Sequence, residues 1–243
     1  MSQNTFRRVE IKYLIGKNQY DEVRKRIADY MTEDEYGLSR IQSIYFDTEN
    51  YDLIRNSLEK PKYKEKLRLR AYGKRISPDS GVFLELKKKY DGIVYKRRIM
   101  LPYSEALEYL ENGKYPSENS QILREIDYFI KYYKPVTRTY VSYDRLALYG
   151  NKDPELRITF DSNIRVTFEK TGFSSEDIGE RLTEEGEYLM EIKTPYALPL
   201  WLCEVLSEAR IYPGTFSKYG NACKRFLKYE EAKPHSAIIK TFA

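Results

Sequence analysis

At 243 residues, 41% apolar and 33% charged, the chain is long enough to bury a real core and carries more charge than an ordinary globular protein. Its 42 Lys and Arg nearly balance 37 Asp and Glu, so a net charge of +5 excludes a generally basic nucleic-acid coat and leaves anion specificity to local clustering. Two cysteines are too few for a disulfide framework, one histidine (His235, in the tail) removes His-based catalysis and zinc sites, and no apolar run approaches the roughly 20 residues of a spanning helix. The expectation is one domain over 1–243 (core about 6–229, tail 230–243), no transmembrane segment and, with no signal peptide ahead of the first charged segment, a cytoplasmic location.

Alternation predicts a first strand over Phe6–Leu14, with Arg8, Glu10 and Lys12 on one face and Val9, Ile11 and Tyr13 on the other. Gly16 ends it, and Asn18 is placed to cap a helix running to about Tyr30. A strand at Leu38–Asp47 and a short helix near Tyr51–Leu58 follow. The next strand, 62–72, puts Lys64, Lys66, Arg68 and Arg70 on one face and Leu67, Leu69 and Ala71 on the other. A hairpin connection at 73–81 leads to strands Val82–Lys89 and Ile93–Leu101, joined through Tyr90-Asp91-Gly92, where Asp-Gly is a strong turn signal. Helical periodicity returns at Ser104–Leu110 and Gln121–Tyr132, then strands at Pro135–Leu148 and Glu155–Phe168. An acidic loop at 171–187 reads as the most mobile segment. The last strand is Tyr188–Thr194, followed by helices over Pro199–Arg210 and about Lys218–Tyr229. Both cysteines, Cys203 and Cys223, fall on these helices and read as buried spacers.

Three Glu-x-Lys pairs recur on strands, Glu10/Lys12, Glu85/Lys87 and Glu191/Lys193, each with both charges on one face. The fold expected is α+β: a closed antiparallel β-barrel whose apolar outside is covered by helices and whose charged inside faces a polyanion, the alternative being an open antiparallel sheet whose charges are only its wet face. Inward cations (Arg8, Lys12, Lys64, Lys66, Arg68, Arg70, Lys87, Lys96, Arg98, Arg145, Arg157 and Lys193) outnumber the inward carboxylates Glu10, Glu85, Asp161 and Glu191. Such a surplus cannot stay unpaired in an interior, and a tri- or polyphosphate would neutralise it. Oxygen-only ligands suit a hard divalent cation that bridges phosphate oxygens, and phosphoryl transfer needs positioning and charge neutralisation more than a nucleophile. No Gly-rich phosphate loop is present.

The segments VEIKY, SIYFDT, KEKLRLRAY, FLELKKK, YKRR, YVSYDRLAL, LRITFD, LMEIKT and FSKYGNAC, in this order from about Phe6 to Tyr229, resemble the VTC domain. This is the catalytic domain of the vacuolar transporter chaperone family, within the CYTH or triphosphate tunnel superfamily. The resemblance implies an eight-stranded tunnel and a polyphosphate polymerase, transferring the γ-phosphoryl group of ATP onto inorganic polyphosphate with Mn²⁺ or Mg²⁺. By that likeness Lys12, Arg68, Arg70, Lys87, Lys96, Tyr143, Arg145 and Lys218 match phosphate-binding positions, and Glu191 matches the metal-binding glutamate. Of these, Lys12, Arg68, Arg70, Lys87, Arg145 and Lys218 are the expected catalytic set. Lys96 and Tyr143 join Lys66, Arg98, Arg157 and Lys193, which come from strand parity, as substrate contacts. Lys218 is expected in the loop before the last helix.

The chain departs from the vacuolar members in lacking their inositol-phosphate-sensing domain and membrane helices, so neither regulation of that kind nor chain translocation is implied. Arg8 also replaces the leading Glu of the superfamily's Glu-x-Glu-x-Lys, which favours the VTC branch over triphosphatases or cyclases. A metal-dependent tunnel triphosphatase and a non-catalytic polyanion-binding module remain the alternatives. ATP and polyphosphate are the expected partners, with no nucleic acid.

Overall fold

The computed structural model describes residues 9–91, 93–117, 120–168 and 172–232, with side chains up to residue 225. Arg8, with the predicted strand start, and His235 lie outside the described residues. Strand β1 (Val9–Ile15) ends at Gly16, whose extended backbone starts α1 (Lys17–Arg26). The Gly16 N–H donates to Gln19 Oε1 at 3.2 Å, so Gln19 closes the helix start and the expected cap, Asn18, lies inside the helix. The helix stops short of Tyr30 because Met31 opens an unforeseen strand, β2 (Met31–Glu33), paired to Leu148–Gly150. Then come β3 (Ser39–Asp47) and α2 (Asp52–Leu58). Asp47, at the strand's end, accepts from the Leu53 and Ile54 amides at 2.9 and 3.0 Å and so caps the helix it precedes.

Three strands form a meander, β4 (Tyr63–Tyr72), β5 (Gly81–Tyr90) and β6 (Ile93–Pro102), followed by α3 (Tyr103–Asn112) and α4 (Gln121–Tyr133). The chain continues through β7 (Val136–Gly150), β8 (Arg157–Thr167), the two-residue β9 (Glu180–Arg181), β10 (Tyr188–Thr194), α5 (Leu200–Glu208) and α6 (Lys218–Ala232). Lys218 is therefore the first residue of a helix and not part of the loop before it.

The sheet is antiparallel in the order β1-β10-β8-β7-β3-β4-β5-β6, with β2 on β7 and β9 on β8. It curls into a half-barrel and does not close: among the described residues β1 and β6 end the path and do not pair. The free edge of β1 is taken by the chain ahead of α6, where the Gly214 N–H donates to the Lys12 carbonyl at 2.7 Å. Register shifts at Tyr45/Phe46 and at Ser142/Asp144 sharpen the curl.

Strand alternation decides which side is buried where. On the convex face Leu67, Leu69, Leu84 and Leu86 pack under Leu123, Ile126 and Phe129 of α4, and Ile158, Met190 and Ile192 under Val23 of α1 and Val205 of α5. The concave face is not charged throughout. Leu189, which shares its face with Glu191, packs with Tyr219, Ala222 and Cys223 of α6, so α6 plugs one end of the curl.

Two further expectations are corrected. The acidic loop is anchored over its described residues: Ser174 N–H donates to Gln42 Oε1 and Leu182 N–H to the Ile164 carbonyl, both at 2.8 Å, and Asp177 pairs with Arg40 at 2.5 Å. Cys203 is exposed, because it falls on the outward side of α5, while Cys223 is buried. Among the described residues no helix is long and apolar enough to cross a membrane.

Candidate functional site

The half-barrel encloses a cavity of about 170 Å³, and Ser217 with Lys218 and Tyr219 at the start of α6 completes its lining. Eight Lys and Arg line it against three carboxylates. Each wall follows from strand parity. Lys66, Arg68 and Arg70 come from β4, Glu85 and Lys87 from β5, Tyr45 from β3, Tyr143 and Arg145 from β7, Glu191 and Lys193 from β10, and Glu10 and Lys12 from β1.

On one wall Glu85 gathers cations. Its Oε2 lies 2.6 Å from Arg68 Nε and 3.9 Å from Arg70 Nε, and its Oε1 lies 2.6 Å from Lys96 Nζ. Burial would raise its pKa, but these three cations bring it down to about 2. Arg68 also donates to Tyr45 Oη at 3.2 Å and Arg70 to Tyr143 Oη at 3.3 Å. Against the same burial effect, Arg68 and Arg70 pull the Tyr45 phenol down to about 8.

On the opposite wall Asp161, fully buried on β8, accepts from Arg145 through two nitrogens at 2.5 and 2.7 Å, a bidentate pairing, and from Lys218 at 2.5 Å. Above it Glu191 stands among Lys12, Arg145, Lys193 and Lys218 at 3.5–3.6 Å. Burial opposes ionisation of both carboxylates, yet these cations hold both pKa values below the ordinary range. Lys218 and Arg145 also lie over the Tyr143 ring, at 4.5 and 5.2 Å.

Between these walls two cations face the cavity with no carboxylate within 4 Å among the described residues. Lys66 sits 5.6 Å over the Tyr219 ring and is pushed down to about 8 by burial. The Lys87 pKa is lowered by burial, with Glu10 opposing and Arg68 and Lys12 assisting. Among the described residues neither of these two charges is ion-paired, and only the more distant Glu10 acts on Lys87.

Twelve of the residues singled out in the sequence meet on this lining: the inward carboxylates Glu10 and Glu85 and the expected site residues Lys12, Lys66, Arg68, Arg70, Lys87, Tyr143, Arg145, Glu191, Lys193 and Lys218. Lys96 reaches it only through Glu85. Arg98 and Arg157 share inward parity but do not line the cavity: Arg98 is exposed over the Phe83 ring at 4.9 Å, and Arg157 is exposed at the start of β8. Tyr45, Ser217 and Tyr219 were not anticipated as site residues. Tyr45 could have been found by extending parity to β3, whereas Ser217 and Tyr219 enter through the packing of α6, which no alternation reports.

A divalent cation is the group this fold family implies. Among the described residues no three His, Cys, Asp or Glu side chains lie close enough to hold one unaided. Glu10 and Glu191, however, share Lys12 and Lys193 as neighbours, which sets two carboxylates side by side at the cavity. That donor set fits a hard cation held by one or two carboxylates whose remaining ligands are phosphate oxygens.

The sequence profile of the VTC domain matches residues 7–227. Among solved structures, a candidate adenylate cyclase from Bacillus halodurans superposes with a TM-score of 0.54 at 14% identity, over 88% of this chain and 96% of its own. A candidate adenylate cyclase from Vibrio parahaemolyticus gives 0.48 at 12% identity, over 91% and 99%. The first likeness shows the fold, an α+β half-barrel of the tunnel type. No curated protein matches the chain.

Proposed function

Because the chain belongs to the VTC domain family, we propose that it is a polyphosphate polymerase, transferring the γ-phosphoryl group of ATP onto a growing inorganic polyphosphate in the cytoplasm. The observation that carries this reading is the excess of cations on the cavity wall, above all Lys66 and Lys87, whose missing counter-charge a chain of phosphoryl groups supplies.

Arg68, Arg70 and Arg145 present planar forks to phosphate oxygens, and each is aimed by a carboxylate or a phenol behind it. Lys12, Lys66, Lys87, Lys193 and Lys218 add compact charges along the triphosphate, and Tyr143 offers a hydroxyl. Lys96 acts through Glu85, and Arg98 and Arg157 contact phosphates only beyond the cavity. Glu191, with Glu10 beside it, would hold Mn²⁺ or Mg²⁺, which when bound neutralises charge between phosphate oxygens. A terminal oxygen of the acceptor chain forms the new bond to the γ-phosphorus as the bond to the β-phosphate oxygen breaks, releasing ADP. No protein nucleophile is needed, and positioning with charge neutralisation lowers the barrier.

Product analysis after incubation with ATP and Mn²⁺ tests the reading. It predicts a polyphosphate ladder with ADP and little orthophosphate. Orthophosphate without a ladder would replace it with a tunnel triphosphatase, and anion binding without ADP release would replace it with a binding module.

A further inference from the structure

A second chamber, of about 460 Å³, adjoins the first and is not used by the transfer described above. It forms where β1, the end of α2, the start of β4, the segment 214–217 and α6 converge. It shares Glu10, Lys12, Lys66 and Ser217 with the central cavity, so these four side chains stand where the two spaces meet. Its own contribution is Lys60, Lys64 and Lys224. With Lys12 and Lys66 these make five lysines against one carboxylate, Glu10, and among the described residues none of Lys60, Lys64 and Lys224 has a carboxylate within 4 Å. Lys64 is held by the Ser57 carbonyl at 3.1 Å, and its pKa is lowered by burial, Lys89 and Lys60.

The chemistry of this chamber differs from that of the central cavity. It has lysines and no arginine, which suits a repeating polyanion held by point charges more than one phosphate group held in a fixed orientation. Phe216 is its sole aromatic side chain, so it offers no stacking platform for successive bases. An acceptor longer than the central cavity must continue elsewhere, and this adjoining space carries three lysines with no carboxylate within 4 Å among the described residues.

We propose that the outer chamber is the subsite for the part of a linear polyphosphate that extends past the central cavity, with Lys60, Lys64 and Lys224 as its grip and Lys66 at the junction. This rests on the polymerase reading. The chamber makes the protein sensitive to acceptor length, and it assigns the end of the molecule at which the chain lies.

The test is calorimetric titration of the full chain with tripolyphosphate and, separately, with long-chain polyphosphate, for the wild type and for Lys60→Glu/Lys224→Glu; both positions are exposed, and Lys60→Gln/Lys224→Gln serves if the double reversal fails to fold. Affinity for the long chain is expected to fall about tenfold while tripolyphosphate changes by less than about twofold. Equal losses for both ligands, or none for either, would overturn the proposal. So would an RNA oligonucleotide that binds as tightly as long-chain polyphosphate and through the same two lysines. A wild type that binds long-chain polyphosphate but not tripolyphosphate would instead overturn the reading of the central cavity, and the chamber's role as its extension with it.

Discussion

Lys218 Nζ and Asp161 Oδ2 stand 2.5 Å apart, joining the first residue of α6 to the buried middle of β8. The pair does two things at once: it docks the start of α6 onto β8 inside the half-barrel, and it fixes a cation on the cavity wall. Asp161→Asn leaves Arg145 and Lys218 with Glu191 alone. It is expected to lower stability by roughly 3–5 kcal/mol, as breaking a buried ion pair does. Urea unfolding checks this, and added tripolyphosphate is expected to restore part of the loss by supplying the missing negative charge.

Glu191→Gln separates holding the triphosphate from transferring it. The cations around Glu191 remain, so ATP affinity is expected to hold or to rise. Turnover is expected to fall by about 100-fold or more, the scale of losing one electrostatic contributor at a reacting centre. Parallel nucleotide binding and ADP release measure both effects, and equal turnover in the variant would remove Glu191 from the metal role.

Lys66, at about 8, loses its proton as pH rises through the mildly alkaline range, and Tyr45, at about 8, becomes anionic there. Both changes subtract positive charge from the wall, and Lys87, lowered by burial, shifts in the same direction as Lys66. Tripolyphosphate affinity is therefore expected to fall between about pH 7 and 9, and binding near pH 8 to take up protons, because the anion favours the charged lysines. Titrations in buffers of different ionisation enthalpy reveal that uptake as a change in observed heat.

Gly179 has φ +85°, and a Cβ there would lie 2.1 Å from the Val166 carbonyl oxygen. Gly179→Ala is expected to pull β9 from β8 and release the acidic segment around Asp177. Amide exchange over residues 172–187 is expected to quicken at least about tenfold while the β4–β5 amides stay protected.

Period-two alternation was the part of this molecule that the sequence made legible. In β4 it separates Leu67 and Leu69, fully buried under α4, from Lys66 and Arg68 on the cavity. Applied strand by strand, it brings together most of the cavity lining. It could not tell whether the ring of strands closes, because closure depends on how the two ends of the path meet, and here Gly214 takes the free edge of β1. Nor could it find the anchoring of the acidic loop, which rests on Arg40, Gln42 and Asn163 from distant strands. Arg98 and Arg157 show the method's limit: parity fixes a face, but not how far along the strand the cavity extends.

The central claim is that the wall carries cations whose proper counterion is the ligand, and Lys66→Met tests it most directly. Lys66 has no carboxylate partner within 4 Å among the described residues, and burial disfavours its charge. Removing that charge is therefore predicted to leave the free protein as stable as the wild type or more so, while tripolyphosphate binding weakens at least about tenfold. A less stable variant that binds tripolyphosphate as well as the wild type would contradict the account.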